Sequence, residues 1–351
     1  MAFRARAMAK DNIEGSFNEQ YRRIYDYGHE LLRANPGSIV KIKVENSNDE
    51  CIFNRIYVCL KACKDSFISC RPIIGLEGCF LKGKYGGELL TAVGRDGNEE
   101  ILPISYVVVE VENKDSWTWF LELLIVDLGG EVGLLPAIQD LLPRVEQRFC
   151  GRHLYSNFRK KYPRFTPRSQ SDTLVNNMCE GFNSVLVHTR CKPIITMLEN
   201  IRVYIMKRWA TNRKKMALYQ GSVCPKVLNK FQKQSWLTRY WLPRWSSHQL
   251  FEVLHISQFG EQFVVNLENK ECSCRKWLIT GIPCTHAITA MKFFNLNEKD
   301  YIGHWFRKST YEEIYNTIIY PINGQLVWDI TSYPDVLPPK KRTMPGRPKK
   351  K

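Results

Sequence analysis

Four side chains with the chemistry of zinc ligands fall within the fifteen residues CSCRKWLITGIPCTH, from Cys272 to His286. They form two pairs, Cys272-x-Cys274 and Cys284-x-His286, with nine residues between the pairs. A tetrahedral Zn²⁺ site needs four sulfur or nitrogen ligands converging at about 2.3 Å for sulfur and about 2.0–2.1 Å for nitrogen. A single intervening residue lets the first two thiolates share one side of a strand end, and Pro283 directs the second pair into the start of a helix. Four protein ligands leave no open position for a substrate, so the spacing predicts a structural ion. The bland alternative, ordinary buried thiols beside a hairpin, requires two matched pairs to coincide by chance. By contrast, Cys51, Cys59, Cys63, Cys70 and Cys79 stand singly among apolar residues and read as small core hydrophobes.

The elements that must position these ligands follow from length and periodicity. A chain of 351 residues, 44% hydrophobic and 12% aromatic, has enough apolar material for two or three ordinary cores. No run approaches the roughly 20 apolar residues of a membrane helix, and MAFRARAMAKDNIEG lacks the apolar stretch of a secretory leader. A reducing compartment is therefore expected. Ser16 and Glu19 have capping-box spacing before a helix that ends at Asn35-Pro36-Gly37. SIVKIKVEN and CIFNRIYVCL alternate as strands, and PIIGLEGC, ELLTAVGR and ILPISYVVVE then form an antiparallel meander. Asp115 is expected to cap a helix that places Trp117, Phe120, Leu121 and Leu124 on one face. A further helix-like run, a short strand VEQRFC, a helix at NNMCEGFNSVLVHTR and a long basic helix from Ile194 to about Met216 follow. FEVLHIS and EQFVVNL make a hairpin turning at Gly260 that delivers the chain to Cys272, and ITAMKFFNL and YEEIYNTIIY beyond it read as helical.

The formal net charge of +16 implies a polyanionic partner, since Lys and Arg that neutralise phosphates release condensed counterions. The charge is blocked: residues 152–168 and 202–215 each hold six Lys or Arg and no acid, and the tail KKRTMPGRPKKK holds seven. A charge run on a helix is more often a solvated face than a phosphate track. The tail has no apolar period and is expected to be disordered. GRP within it resembles an AT-hook core in which Arg347 enters a narrow minor groove beside Lys349 and Lys350; a nuclear-import signal is the plainer reading, and both point to the nucleus.

Two resemblances sharpen this picture. C-x-C followed by C-x-H, with Trp277 and Gly281-Ile282-Pro283 between the pairs, resembles the SWIM-type zinc finger. CFLKGKYGGELLTAVGRDGNEEILPISYVVVEVENKDSWTWFLELL, GLLPAIQDLLPRVEQRFCGRH, VNNMCEGFNS and KPIITMLENIRVYIMKRW closely resemble the core of plant Mutator-like element (MULE, MuDR-type) transposases. That family implies an RNase H-like fold in which two Asp and one Glu hold two Mg²⁺ or Mn²⁺ ions for in-line attack on a DNA phosphodiester. Carried over by motif, the first acid falls on Glu77, where the family has Asp. The third falls on Glu180. The second, which normally ends a fourth strand, aligns with Gly129 or Gly130, so strand and ligand are expected to be missing; Asp127 and Glu131 read as solvated loop or helix-end acids. A helical insertion before Glu180 and an upstream DNA-binding region are also expected to be absent. Cys150-x-x-His153 resembles a family element of low specificity. The loss of a central strand implies a distorted sheet.

The expectation is thus an α/β (α+β) protein: a helical lead-in over 1–36, a degenerate, truncated RNase H-like core over 37–216, a basic, Trp-rich linker over 217–249, a SWIM finger over 250–292, a helical extension over 293–335 and a basic tail over 336–351. Its expected function is zinc and nucleic-acid binding in the nucleus by a transposase derivative with an incomplete triad. DNA is the expected partner, with a protein partner through the finger as a further possibility and neither membrane nor small-molecule substrate. The competing readings are an active DDE transposase using Glu77, Glu180 and a third ligand, and a fragment in which the finger alone folds around its metal.

Overall fold

The computed structural model describes residues 17–47, 50–71, 74–128 and 178–339. The Ser16 cap, the residues around Gly129 and Tyr162, Glu131, the strand VEQRFC, Cys150 and His153, the basic stretch 152–168 and the tail from residue 340 lie outside them.

The expected first helix is two, α1 (Phe17–Arg22) and α2 (Ile24–Ala34), broken at Arg23. The strands follow the period-2 pattern: β1 (Ile39–Ser47), β2 (Glu50–Cys59), then α3 (Lys61–Ile68) and the meander β3 (Gly75–Phe80), β4 (Glu88–Arg95) and β5 (Ile101–Val109). All pair antiparallel in the order β1-β2-β5-β4-β3. The β1–β2 hairpin therefore extends the meander beyond β5, a junction that local periodicity does not reveal. The register slips between Ala92 and Val93 at Pro103 of β5, a position where a residue without an N–H is tolerated.

Both faces of this sheet are covered, which is why its central strands read as nearly continuous apolar runs. On one face α4 (Lys114–Asp127) lays Phe120, Leu121 and Leu124 onto Tyr57, Leu90, Val107 and Val109. Its N-cap is Asn113, not Asp115: the Asn113 side chain accepts from the Ser116 N–H at 2.8 Å and the Ser116 hydroxyl accepts from the Asn113 N–H at 3.0 Å. Asp115 instead accepts from the buried guanidinium of Arg55 at 2.5 Å, and Arg55 also makes a two-pronged pair with Glu110 at 2.6 and 2.9 Å. This fork fastens the start of α4 to β2 and β5.

On the other face lie α2, α5 (Met178–Val185), the long α6 (Ile194–Ala217) and α10 (Lys308–Asn316). The basic helix is not a simple solvated face. Arg202 is buried, paired with Glu199 and bonded to the Tyr320 carbonyl at 3.0 Å; Arg208 reaches Glu100 at 3.2 Å; Arg213 donates to the carbonyls of Tyr315 and Thr317. Two of its cations, Arg202 and Arg213, therefore hold the returning C-terminal segment, and Arg208 holds the β4–β5 turn.

That segment is part of the first core. Tyr311, Ile314, Tyr315, Ile319, Trp328 and Val336 join the same cluster as Ile24, Ile56 and Trp209, and β10 (Val336–Leu337) pairs parallel with β2. Residues read as a linker are also structured: α7 (Pro225–Leu237) is a helix and β6 (Trp241–Ser247) is a strand. β6 belongs to a second sheet, β6-β7-β8-β9, with β7 at Leu250–His255, β8 at Gln262–Asn266 and β9 at Glu271–Cys272. The expected turn at Gly260 is present with φ 85°. Among the described residues no helix is long and apolar enough to cross a membrane.

The β4–β5 turn is tied to the returning C-terminal segment. Asp96 is buried, accepts the Asn98 and Glu100 N–H groups at 2.9 and 2.8 Å, and accepts from the Tyr315 hydroxyl at 2.7 Å. Burial raises its pKa to about 6 against the opposing hydrogen bonds. The folded chain then holds more protons than the unfolded chain between about pH 4 and pH 6, so stability falls as pH rises through that window, by up to about 1.4 kcal/mol per pH unit. Chemical denaturation at several pH values should show this slope, and it should flatten in Asp96→Asn.

Candidate metal centre

The four ligands are delivered by three different elements. Cys272 closes β9. Ser273 is held on both sides by β8, its N–H donating to the Val264 carbonyl at 2.9 Å and its hydroxyl accepting from the Val264 N–H at 3.0 Å. Cys274 follows, and the chain reverses at Arg275, which is left-handed at φ 59° and donates its N–H to the Cys272 carbonyl at 2.8 Å. The short α8 (Lys276–Thr280) buries Trp277 and stops at Gly281, φ 70°, whose N–H returns to the Trp277 carbonyl. A residue without a side chain there meets little strain, which accounts for glycine at that position. Cys284 is the N-cap of α9 (Thr285–Phe293), and His286 lies in its first turn, as Pro283 suggested.

All four ligand atoms lie within 4.8 Å of one another. The imidazole Nδ1 of His286 is 3.5 Å from Cys272 Sγ and 3.9 Å from Cys284 Sγ. Tetrahedral bonds of zinc length require ligand separations of about 3.5–3.8 Å, so the residues present fit Zn²⁺. Electrostatics agrees. Hydrogen bonds from Cys272 and Cys284 hold the Cys274 thiol far below its usual range as a single thiolate. The same bonds push Cys272 up to about 12 and Cys284 higher still. A divalent cation lets all three ionise together.

Two aromatic rings fix the imidazole. Phe263 of β8 stacks on His286 at 4.1 Å between centroids and an interplanar angle of 12°. Trp241 of β6 meets it edge-on at 4.2 Å and 69°. Neither ring was legible as part of the site, because Trp241 lies 45 residues before His286 and only the β6–β7–β8 pairing brings it there.

The carboxylate positions are placed differently. Glu77 lies in the middle of β3, and Glu180 is in the first turn of α5. Gly181 lets α5 approach closely: a Cβ there would fall 2.5 Å from the Ile101 side chain. One turn beyond Glu180, the buried Asn183 donates to the Glu77 carboxylate at 3.3 Å. Sequence reasoning missed Asn183, although it stands in the same NNMCEGFNS string. Asp127 is not a solvated acid; it is buried at the end of α4, where it accepts from the Tyr57 hydroxyl at 2.6 Å and burial raises its pKa. Among the described residues the Cys/His cluster is the only group of three or more metal-ligating side chains. Of the singly placed cysteines, Cys59, Cys63 and Cys70 are buried as expected and their thiols are pushed up by burial, while Cys51 and Cys79 are half-buried.

Residues 73–157 match the family model of the MULE transposase domain and residues 263–294 that of the SWIM zinc finger. The chain thus joins a MULE transposase domain to a SWIM finger. No curated protein and no solved structure matches it. The finger match begins at β8, so β6 and its Trp241 lie outside it.

The purified chain should carry one zinc ion, measured by elemental analysis, and Cys284→Ser should lose it. Trp241→Ala should keep the ion but weaken zinc affinity by about 10–100-fold in a chelator competition, the effect of removing a residue that orients a metal ligand.

Proposed function

We propose that this is a nuclear, nucleic-acid-binding zinc protein derived from a Mutator-like transposase that no longer cleaves DNA. The observation that carries the proposal is Glu77 in the place of the family's first Asp, with its carboxylate held by Asn183. Two-metal cleavage clamps the attacking and leaving oxygens between ions about 3.5–4 Å apart. A carboxylate one methylene longer is displaced by roughly an ångström, and misplacement of that size costs on the order of a hundredfold in rate.

Binding tolerates such shifts, because it rests on charge. Between Glu199 and Glu252 the chain has eleven Lys or Arg and no acid. After the internal bonds of Arg202, Arg208 and Arg213 and the pairing of Lys226, Lys230 and Arg244 with Glu100, Glu99 and Glu252, five remain exposed: Lys207, Lys214, Lys215, Lys233 and Arg239. The tail residues Arg347, Lys349 and Lys350 add an AT-hook-like or import element in this reading, and the finger provides a surface for DNA or a protein partner.

The rival reading, a DDE transposase, draws support from Glu180 standing on the helix that packs beside β3. The zinc-loaded chain should bind duplex DNA with affinity falling by a log-log slope of about −0.9 per phosphate contact as salt rises, unchanged in Glu180→Ala. It should not nick supercoiled plasmid in Mg²⁺ or Mn²⁺. Nicking that depends on Mn²⁺ and disappears in Glu180→Ala would overturn the inactive reading.

A further inference from the structure

An aromatic and basic surface stands where α7 turns into β6. Trp236 is 59% exposed and Tyr240 41%, with ring centroids 6.1 Å apart. The guanidinium of Arg239 lies over Trp236 at 3.2 Å and 5.1 Å from the Tyr240 ring. Lys292 of α9 joins them: its ammonium donates to the Ser235 carbonyl at 3.2 Å, just before Trp236, and to the Thr238 hydroxyl at 2.9 Å, between the two rings. Lys233 is exposed one turn before Trp236. Among the described residues no carboxylate forms an ion pair with Lys233, Arg239 or Lys292.

Large rings kept exposed by a rigid scaffold gain nothing for folding. The scaffold here is rigid: the Thr285 hydroxyl donates to Gln234 at 2.8 Å, and Val227 and Phe231 of α7 pack on Ile282 and Ile288 of the finger. Rings interleaved with unpaired cations fit a polymer that offers flat apolar faces alternating with anions. A single-stranded nucleic acid has that chemistry; a duplex hides its base faces, and a protein partner gives no reason for three unpaired cations around two rings. Arg239 already covers the Trp236 face with a planar cation, the contact that a stacked base would share or replace.

We infer that Trp236 and Tyr240 form a stacking platform for a single nucleic-acid strand, with Lys233, Arg239 and Lys292 contacting its phosphates. The inference deepens the proposed nucleic-acid binding and rests on it.

The test uses the zinc-loaded full chain, a labelled oligo-dT of about twenty nucleotides, an oligo-U of the same length and a mixed-sequence duplex, followed by fluorescence anisotropy. Trp236→Ala and Tyr240→Ala should each weaken single-strand binding by about 5- to 150-fold, the measured range for one base–aromatic stack, and alter duplex binding much less. Trp236→Phe should restore most of the loss. Zinc content and thermal unfolding identify variants that fold, and both rings are exposed enough to be removed without opening the core. If the Ala variants bind the single strand as the parent does, or lose single strand and duplex equally, the platform is overturned while nucleic-acid binding stands. If the parent binds neither form, the proposed function itself fails. Stacking predicts that the dT and U strands both bind, and binding of neither by the parent would overturn the platform.

Discussion

Three thiols and one imidazole with their ligand atoms inside 4.8 Å cannot all take their metal-binding forms without a cation among them. The stretch from β8 to the start of α9 is arranged around that constraint. The ladder at Ser273 sets Cys272 and Cys274 on one side of β9, the left-handed Arg275 reverses the chain, and α9 begins at Cys284 so that His286 faces back. Phe263 and Trp241 then occupy the remaining space around the imidazole. The site is a cross-link between sheet and helix in a region whose own core is small. Its cluster is Phe251, Val253, Val265, Trp277 and a few neighbours, and an ion adds what so little apolar burial does not.

The finger does not hang from the first domain by a tether. The chain leaves α6, builds α7, the second sheet and α9, and returns through Phe306 to α10 and β10 inside the first core. Two strands of backbone close the loop where the Cys224 N–H donates to the Phe306 carbonyl and the Lys308 N–H to the Ser222 carbonyl, both at 2.9 Å. Lys226 also reaches Glu100 of the β4–β5 turn at 3.1 Å. In effect the finger is an insertion between α6 and α10. Its loss would also disturb the path that brings Tyr315 to Asp96.

The parts of this architecture that were legible in the sequence are those fixed by local spacing. Two-residue alternation located β1 to β5, and ligand pairs one residue apart located the metal site. What was not legible depends on contacts between distant segments. Arg202, Arg208 and Arg213 form a basic run in one dimension but serve carbonyls and a carboxylate on other elements. The stretch 217–249 looked like a linker because β6 has little apolar alternation of its own; it is a strand because β7 pairs with it. Asp115 and Asn113 are both acceptable caps by type, and the choice falls to Asn113 because Arg55 claims Asp115.

Cleavage and binding place different demands on the same chain. Phosphodiester attack requires carboxylates placed to within a fraction of an ångström, and a longer side chain at position 77 tied to Asn183 meets that demand poorly. Zinc coordination is equally strict, and there the ligand set is complete. Attraction to a polyanion is lenient: it sums over many cations, and stacking needs only an exposed ring on a stable support. A surface that combines Trp236, Tyr240 and unpaired cations on elements anchored by the zinc-bound helix therefore does not depend on the carboxylates of the first sheet. In the proposed reading, a metal in the finger would act on nucleic acid only indirectly, by holding α9 and hence Lys292 against α7.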